Sequence, residues 1–105
     1  MLAYLIDPEN RIILKTTWDE DWRSIGPKIG ARLFDVVVFN NNTGDSVFVD
    51  DEGLFVDDPK FFSVGDYPGV LAGKGLVLGG PDDEGKTTPP RITFEELIQI
   101  VRFRS

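Results

Sequence analysis

Short runs of Val, Ile and Phe, each closed by a cluster of Pro, Gly, Asn or Asp, set the rhythm of this sequence. Leu2 to Ile6 ends at Asp7-Pro8-Glu9-Asn10, Phe34 to Phe39 ends at Asn40 to Asp45, and Ser46 to Val49 ends at Asp50-Asp51-Glu52-Gly53. β-branched and aromatic side chains suit a pleated, half-buried surface, and turn formers at this cadence make short antiparallel strands the economical solution. The chain has 10 Val, 8 Ile and 8 Phe but only 3 Ala, which disfavours a helical bundle. At 105 residues it is the size of one domain, residues 1–105, with enough core to fold without staples.

The element reading follows from that punctuation. Leu2 to Ile6 and Ile12 to Thr17 form a hairpin. Asp19-Glu20-Asp21 precedes Trp22, Ile25 and Ile29, a helix start with acids at the positive end of the dipole. Gly26-Pro27 breaks that pattern, so a short helix is expected to end near Ile25, with a second turn from Pro27 and a stop at Gly30. Phe34 to Phe39 is the strongest strand, and Ser46 to Val49 returns beside it. Gly53 is expected at positive φ, Leu54 to Val56 as a continued meander, and Phe61 to Val64 as a further edge strand. Val70 to Leu78 is a glycine-interrupted strand, and Gly79 to Pro90 a polar loop without core content.

The C-terminal element has the fullest signature. Thr93 and Glu96 make an S/T-x-x-E capping box, with Ile92 and Leu97 as a hydrophobic staple. The pattern predicts a helix over Phe94 to Phe103, with Phe94, Leu97, Ile98 and Val101 on one face and Arg102 and Arg104 at the negative end of the dipole. The fold predicted is α+β: a mostly antiparallel sheet of five or six strands, one or two short helices after the first hairpin, and a C-terminal helix packed on the sheet.

Charge is segregated. The whole chain carries 11 Lys+Arg against 18 Asp+Glu, net −7. Residues 35–84 hold eleven acids and two bases, Lys60 and Lys74, while residues 1–34 balance and residues 85–105 are mildly basic. Asp45, Asp50, Asp51, Glu52, Asp82, Asp83 and Glu84 fall in turns and form the candidate interaction surface. Acids grouped this way would dock on a basic surface, as a DNA mimic would. The plain counter-reading is that acids in turns keep a small domain soluble. Direct nucleic-acid binding is not expected from so acidic a chain.

The sequence also bears on catalysis. It has no His, the commonest general base, and no Cys, so thiol chemistry and disulfides are absent. Ser24, Ser46, Ser63 or Ser105 would need a Lys as base, and none has a local signature. A carboxylate pair would need a cleft for which a domain this size has little room. Gly73-Lys74-Gly75 fails as a P-loop, because Pro68 stands at the first glycine and Gly75 at the hydroxyl position. It fails as a dinucleotide fingerprint, because Gly79 comes one residue late. The acids before Gly53 fail the EF-hand spacing, with Phe48 at the first ligand position. No catalytic residue, cofactor or dedicated metal site is therefore expected. Trp18 and Trp22, four apart, suit core packing or an aromatic anchor for a partner.

Several segments together resemble a family of small proteins of unknown function found in phages, prophages and proteobacteria. They are Met1-Leu2-Ala3-Tyr4-Leu5-Ile6-Asp7-Pro8, Asp21-Trp22-Arg23 with Ile29-Gly30, Val49-Asp50-Asp51-Glu52-Gly53-Leu54, and Leu71-Ala72-Gly73-Lys74-Gly75-Leu76-Val77-Leu78-Gly79. The Asp83-Glu84-Gly85 turn and the C-terminal helix complete the likeness. It implies a compact α+β domain in a mobile-element setting and supplies no activity or catalytic residue.

The expectation is thus a non-enzymatic accessory protein that binds another protein of the host or phage, a basic, nucleic-acid-binding partner being one candidate. The alternative is a small-molecule or cation-binding domain in which Lys74 contacts the ligand. Edge strands could also support a homodimer. Met1 to Asp7 lacks a cationic leader, and no apolar run nears the roughly 18 residues that span a bilayer, so a cytoplasmic location is expected.

Overall fold

The computed structural model describes residues 1–104. Eight strands form two antiparallel sheets. In chain order they are β1 (Leu2–Asp7), β2 (Ile12–Thr17), β3 (Phe34–Val38), β4 (Ser46–Asp50), β5 (Phe61–Val64), β6 (Leu71–Ala72), β7 (Gly75–Leu78) and β8 (Val101–Arg104). Helix α1 (Ile25–Ile29) follows the first hairpin, and α2 (Phe94–Ile100) precedes β8. The larger sheet has the order β2-β1-β7-β4-β3 and the smaller β6-β5-β8. The α+β class, the five-stranded antiparallel sheet and both helical positions match the sequence expectation.

Period-two alternation gives the large sheet two apolar faces. Ala3, Phe48, Leu76 and Leu78 pack against Trp18, Ile25 and Ile29 on one side. Tyr4, Ile6, Val47, Val49 and Val77 pack on the other against Phe62, Val64, Leu71, Leu97 and Val101 from the small sheet and α2. β7 is buried along its whole length because it lies between β1 and β4 with both faces covered. At Gly75 an added Cβ would lie 2.6 Å from Val47 Cγ2 and 2.9 Å from the Phe62 ring, which is why the two sheets meet so closely there.

Several local readings need correction. Trp22–Ser24 is a 3-10 turn that runs directly into α1, so the helix continues through Gly26-Pro27. Pro27 sits in the first α-helical turn, where the missing N–H has no intrahelical partner to lose. Gly30 then ends the helix at φ 69°, as expected.

Gly53 does not adopt positive φ. It opens a 3-10 turn, Gly53–Phe55, and its glycine serves a close approach: a Cβ would meet the Ala72 carbonyl oxygen at 2.8 Å. Leu54 to Val56 is accordingly not a strand. Phe61 to Val64 is the central strand of the small sheet and not an edge.

Helix α2 stops at Ile100, and Val101 turns extended to begin β8, pairing Val64 with Val101 and Phe62 with Phe103. The side of β5 away from β6 supplies a hydrogen-bonded ladder, and Val101 and Phe103 alternate with two arginines, a strand pattern as well as a helical one. Arg102 still serves the helix end, its guanidinium donating to the Gln99 carbonyl at 2.7 Å; Arg104 lies at the end of β8. Ile98 is exposed, whereas Leu97 and Val101 are buried. The capping box is present, with Thr93 Oγ1 accepting from the Glu96 N–H and Glu96 Oε1 accepting from the Thr93 N–H.

The loop Gly79 to Pro90 also has more content than its polarity suggests. Gly79 and Gly80 are buried, Pro81 bridges to Thr87, and the Thr88 hydroxyl donates to the Gly80 carbonyl at 2.6 Å.

Candidate functional site

The acidic turns do not converge. β4 and β7 are antiparallel, with Ser46 opposite Leu78 and Val49 opposite Gly75. Asp50 to Glu52 therefore leaves the sheet at one end, and the loop carrying Asp82 to Glu84 leaves it at the other. About 13 Å of strand separates the two ends of β4. Successive turns of an antiparallel sheet alternate ends, so acids spread over consecutive turns are divided by the topology.

Most of these acids also have local work. Asp45 is fully buried, so it is no part of an interaction surface. Its carboxylate accepts from the Arg91 N–H at 2.9 Å and the Ile92 N–H at 2.8 Å, which fastens the entrance of α2 to the turn before β4. Asp50 accepts from the Glu52 N–H, and Glu52 holds Arg32 in a two-point ion pair with a shortest contact of 2.9 Å. Asp82 accepts from the Glu84 and Lys86 N–H groups. The bond from Lys86 is the main cause that holds its carboxyl below the ordinary carboxylate value. Asp51 and Asp83 make no such side-chain bond among the described residues and remain as exposed charges.

Lys74 lines a cleft of about 370 Å³ with Lys60, Asp7, Glu9, Asp57 and Asp58. Lys60 pairs with Asp58 at 3.1 Å. The Gly73 N–H, which an anion cradle would aim at its ligand, donates instead to the Lys60 carbonyl at 2.9 Å. The Ser24 hydroxyl donates to Asp19 and the Ser46 hydroxyl to the Gly44 carbonyl. Ser105 lies outside the described residues.

A different feature emerges at β3, the outer strand of the large sheet. The bonds flanking its ladder run from Asp51 N–H to the Leu33 carbonyl and from Phe39 N–H to the Asp45 carbonyl. Odd-numbered residues thus face β4, and the backbone groups of Phe34, Val36 and Val38 face away from the sheet. Their side chains share the α1 side of the sheet with Phe48, since Val36 lies directly opposite it. Helix α1 covers the middle of that face and stops short of β3. Leu33, Phe34, Val36, Val38 and Trp22 are consequently 37% to 50% exposed.

An aromatic row crosses this face. Trp18, Trp22, Phe48 and Phe34 follow one another at centroid separations of 5.2, 5.6 and 5.7 Å. The row runs from Trp18 in the core, its Nε1 donating to the Asp21 carbonyl at 3.1 Å, to Phe34 at the margin. Asp21 caps the 3-10 turn that carries Trp22, and its bond from Arg23 holds its carboxyl below the ordinary value.

The opposite side of β3 borders a second apolar margin. A groove of about 200 Å³ runs between Asp35 and Val37 on β3 and Leu54, Tyr67 and Val70 across from them. Leu54 is 70% exposed, and Phe55 beside it 83%. Asp50 and Asp51 line the same groove.

Of the predicted site residues, this arrangement includes Asp50 and Asp51, with Glu52 close by in its ion pair; Asp45, the Asp82 to Glu84 turn and Lys74 lie elsewhere. Sequence reasoning singled out Trp22 but passed over Leu33, Phe34, Val36 and Val38. A run apolar on both faces reads as an interior strand, and only pairing order makes it an edge.

No described protein family matches the chain, and no solved structure matches it. It is similar to the uncharacterised protein y4iR of Sinorhizobium fredii (strain NBRC 101917 / NGR234), a proteobacterium, with 31% identity over 91 residues. That similarity covers 84% of this chain and 55% of the relative, so the chain spans about half the length of the protein it matches.

Proposed function

We propose that the chain is a non-enzymatic protein-binding domain whose docking surface is the apolar margin on both sides of β3. The observation that carries this reading is the exposure of Phe34, Val36, Val38 and Trp22 on the α1 side of β3, at the open edge of the large sheet, with Leu33 exposed just before the strand. Large aromatics at the half-exposed rim of a well-packed core are the residues that anchor protein interfaces. The absence of His and Cys and the engagement of most turn carboxylates in local bonds favour binding over catalysis. Asp35 and Asp51 at the groove favour a basic partner.

A partner that replaces nucleic acid with this chain would need one acidic face, and the two acidic turns leave the sheet at opposite ends. Recognition by apolar contact with a local basic complement therefore ranks above mimicry. Small-ligand or cation binding at Gly73-Lys74-Gly75 ranks below both, because acids face the two lysines and the Gly73 amide is committed. The setting proposed is the cytoplasm of a bacterium carrying a mobile element, on the strength of the sequence resemblance. No described helix is long and apolar enough to cross a membrane.

The test is site-specific photo-crosslinking in the bacterial host, with benzoylphenylalanine in place of Phe34 and, as control, in place of Glu95 on α2. A defined adduct at position 34, lost on Val36→Lys, supports the reading. No adduct at 34, or the same adduct at both positions, overturns it.

A further inference from the structure

We infer that the partner adds a sixth strand to the large sheet along β3, as an extended segment with apolar residues at every second position and Lys or Arg between them. This rests on the protein-binding reading and specifies its mode.

The backbone supplies the first argument. Phe34, Val36 and Val38 turn their N–H and carbonyl groups outward, where no strand among the described residues meets them. Two of the other sheet margins are guarded in ways that discourage pairing. β6 has two residues and β8 carries Arg102 and Arg104, whereas β2 carries Lys15 but also exposes Ile12 and Leu14. β3 has one charge among four apolar residues.

The side chains supply the second. A strand beside β3 must send successive side chains to opposite faces. One set would meet Phe34, Val36 and Val38. The other would enter the groove between Val37 and Leu54, Tyr67 and Val70. Contact surface waits on both faces, apolar on one and edged by Asp35 and Asp51 on the other, an arrangement that strand addition uses and docking of a helix would leave half idle.

Charge selects the occupant. Asp35 and Asp51 line the groove, and a neighbouring cation, Arg32, is already held by Glu52. Lys or Arg opposite Asp35 would complete the site. A second copy of this chain would bring the same acids into one groove and a further net charge of −7.

Asp35 adds a condition for binding. Its carboxylate accepts from the Val36 N–H at 2.9 Å, occupying the central outward donor of the strand. An incoming strand has to displace that bond, and a cation that draws the carboxylate away releases the donor. Basic segments would therefore be admitted more readily than neutral ones of the same shape.

The experiment titrates the isotope-labelled chain with three short synthetic peptides: alternating Val and Lys, the same peptide N-methylated on its sheet-facing amides, and alternating Val and Glu. Amide exchange and sedimentation are followed. Expected are binding of the Val-Lys peptide, slowed exchange at Phe34, Val36 and Val38, a loss of about tenfold or more on N-methylation, and no binding of the Val-Glu peptide. Equal binding of the N-methylated peptide would overturn strand addition while leaving the protein-binding reading intact. Binding mapped away from β3, no binding at millimolar peptide, or a dimer whose β3 amides are protected without peptide would each overturn the inference.

Discussion

The Asp45 carboxylate accepts the Ile92 N–H at 2.8 Å, joining positions 47 residues apart in the chain. With the parallel bond from the Arg91 N–H it holds the segment that leads into α2 against the turn before β4. Truncation leaves two backbone donors without their acceptor in a buried site. Asp45→Ala is expected to cost about 3 kcal/mol in urea denaturation. Asp83→Ala, which touches nothing comparable, is expected to stay within about 0.5 kcal/mol.

Gly79 marks where β7 leaves the sheet. A Cβ there would lie 2.2 Å from the Pro89 carbonyl oxygen and 2.4 Å from Thr88 Oγ1. Backbone has to move to relieve that overlap, so Gly79→Ala is expected to cost about 2 kcal/mol or more. Gly85→Ala serves as a second probe of the same loop: Gly85 has φ 80° and open space around it, so strain there comes from backbone conformation alone. Thermal melts of the two variants separate clash from conformational strain.

Acid should weaken the fold through carboxylates bound at turns and caps. The Ser24 hydroxyl lowers Asp19, the Arg23 side chain lowers Asp21, the Lys86 N–H lowers Asp82, and the Thr93 N–H lowers Glu96. A carboxyl lowered in the folded state stabilises fully above its unfolded value and stops doing so as pH falls through the lowered one. Urea midpoints are expected to be level from about pH 7 to 5 and to decline below about pH 4. These groups lie at or near the surface, so solvent keeps the decline shallow. Glu96→Gln should reduce it further.

The two tryptophans should separate stability from binding. Trp18 is 2% exposed and Trp22 is 50% exposed. Trp18→Ala is expected to cost about 3–5 kcal/mol. Trp22→Ala should leave the chain folded and weaken crosslinking at position 34. Equal losses of stability would show that Trp22 belongs to the core.

The two acidic turns offer a charge test. Asp51→Lys should weaken partner binding at low salt, because Asp51 lines the groove beside β3. Asp83→Lys, at the other end of the sheet, should not. Equal effects in a salt-dependent pull-down would point to a diffuse field instead of a local contact.

Much of this fold is legible in local chemistry. The first hairpin, the β3–β4 pair, the Gly30 stop and the Thr93–Glu96 box each depend on residues within a few positions of one another. The failures are places where a distant partner intervenes. Val101 to Arg104 satisfies helix and strand patterns alike, and the rim of β5 decides for strand. Gly53 looks like a turn glycine, and Ala72 makes it a contact glycine. Asp45 resembles every other acid in a turn, and Arg91 and Ile92 give it a buried role.

The candidate site follows the same division. By itself the sequence determined that this is an α+β domain of short antiparallel strands, with no imidazole or thiol and with most acids of residues 35–84 at turns. Those properties depend on residue type and near neighbours. Tertiary structure alone decided that β7 runs through the middle of the sheet, that β3 is left at its margin, and that the acidic turns part to opposite ends. Strand order is set by how two apolar faces are covered at once, a long-range packing problem. The same Phe and Val residues that would vanish into an interior strand are left by that solution beside water.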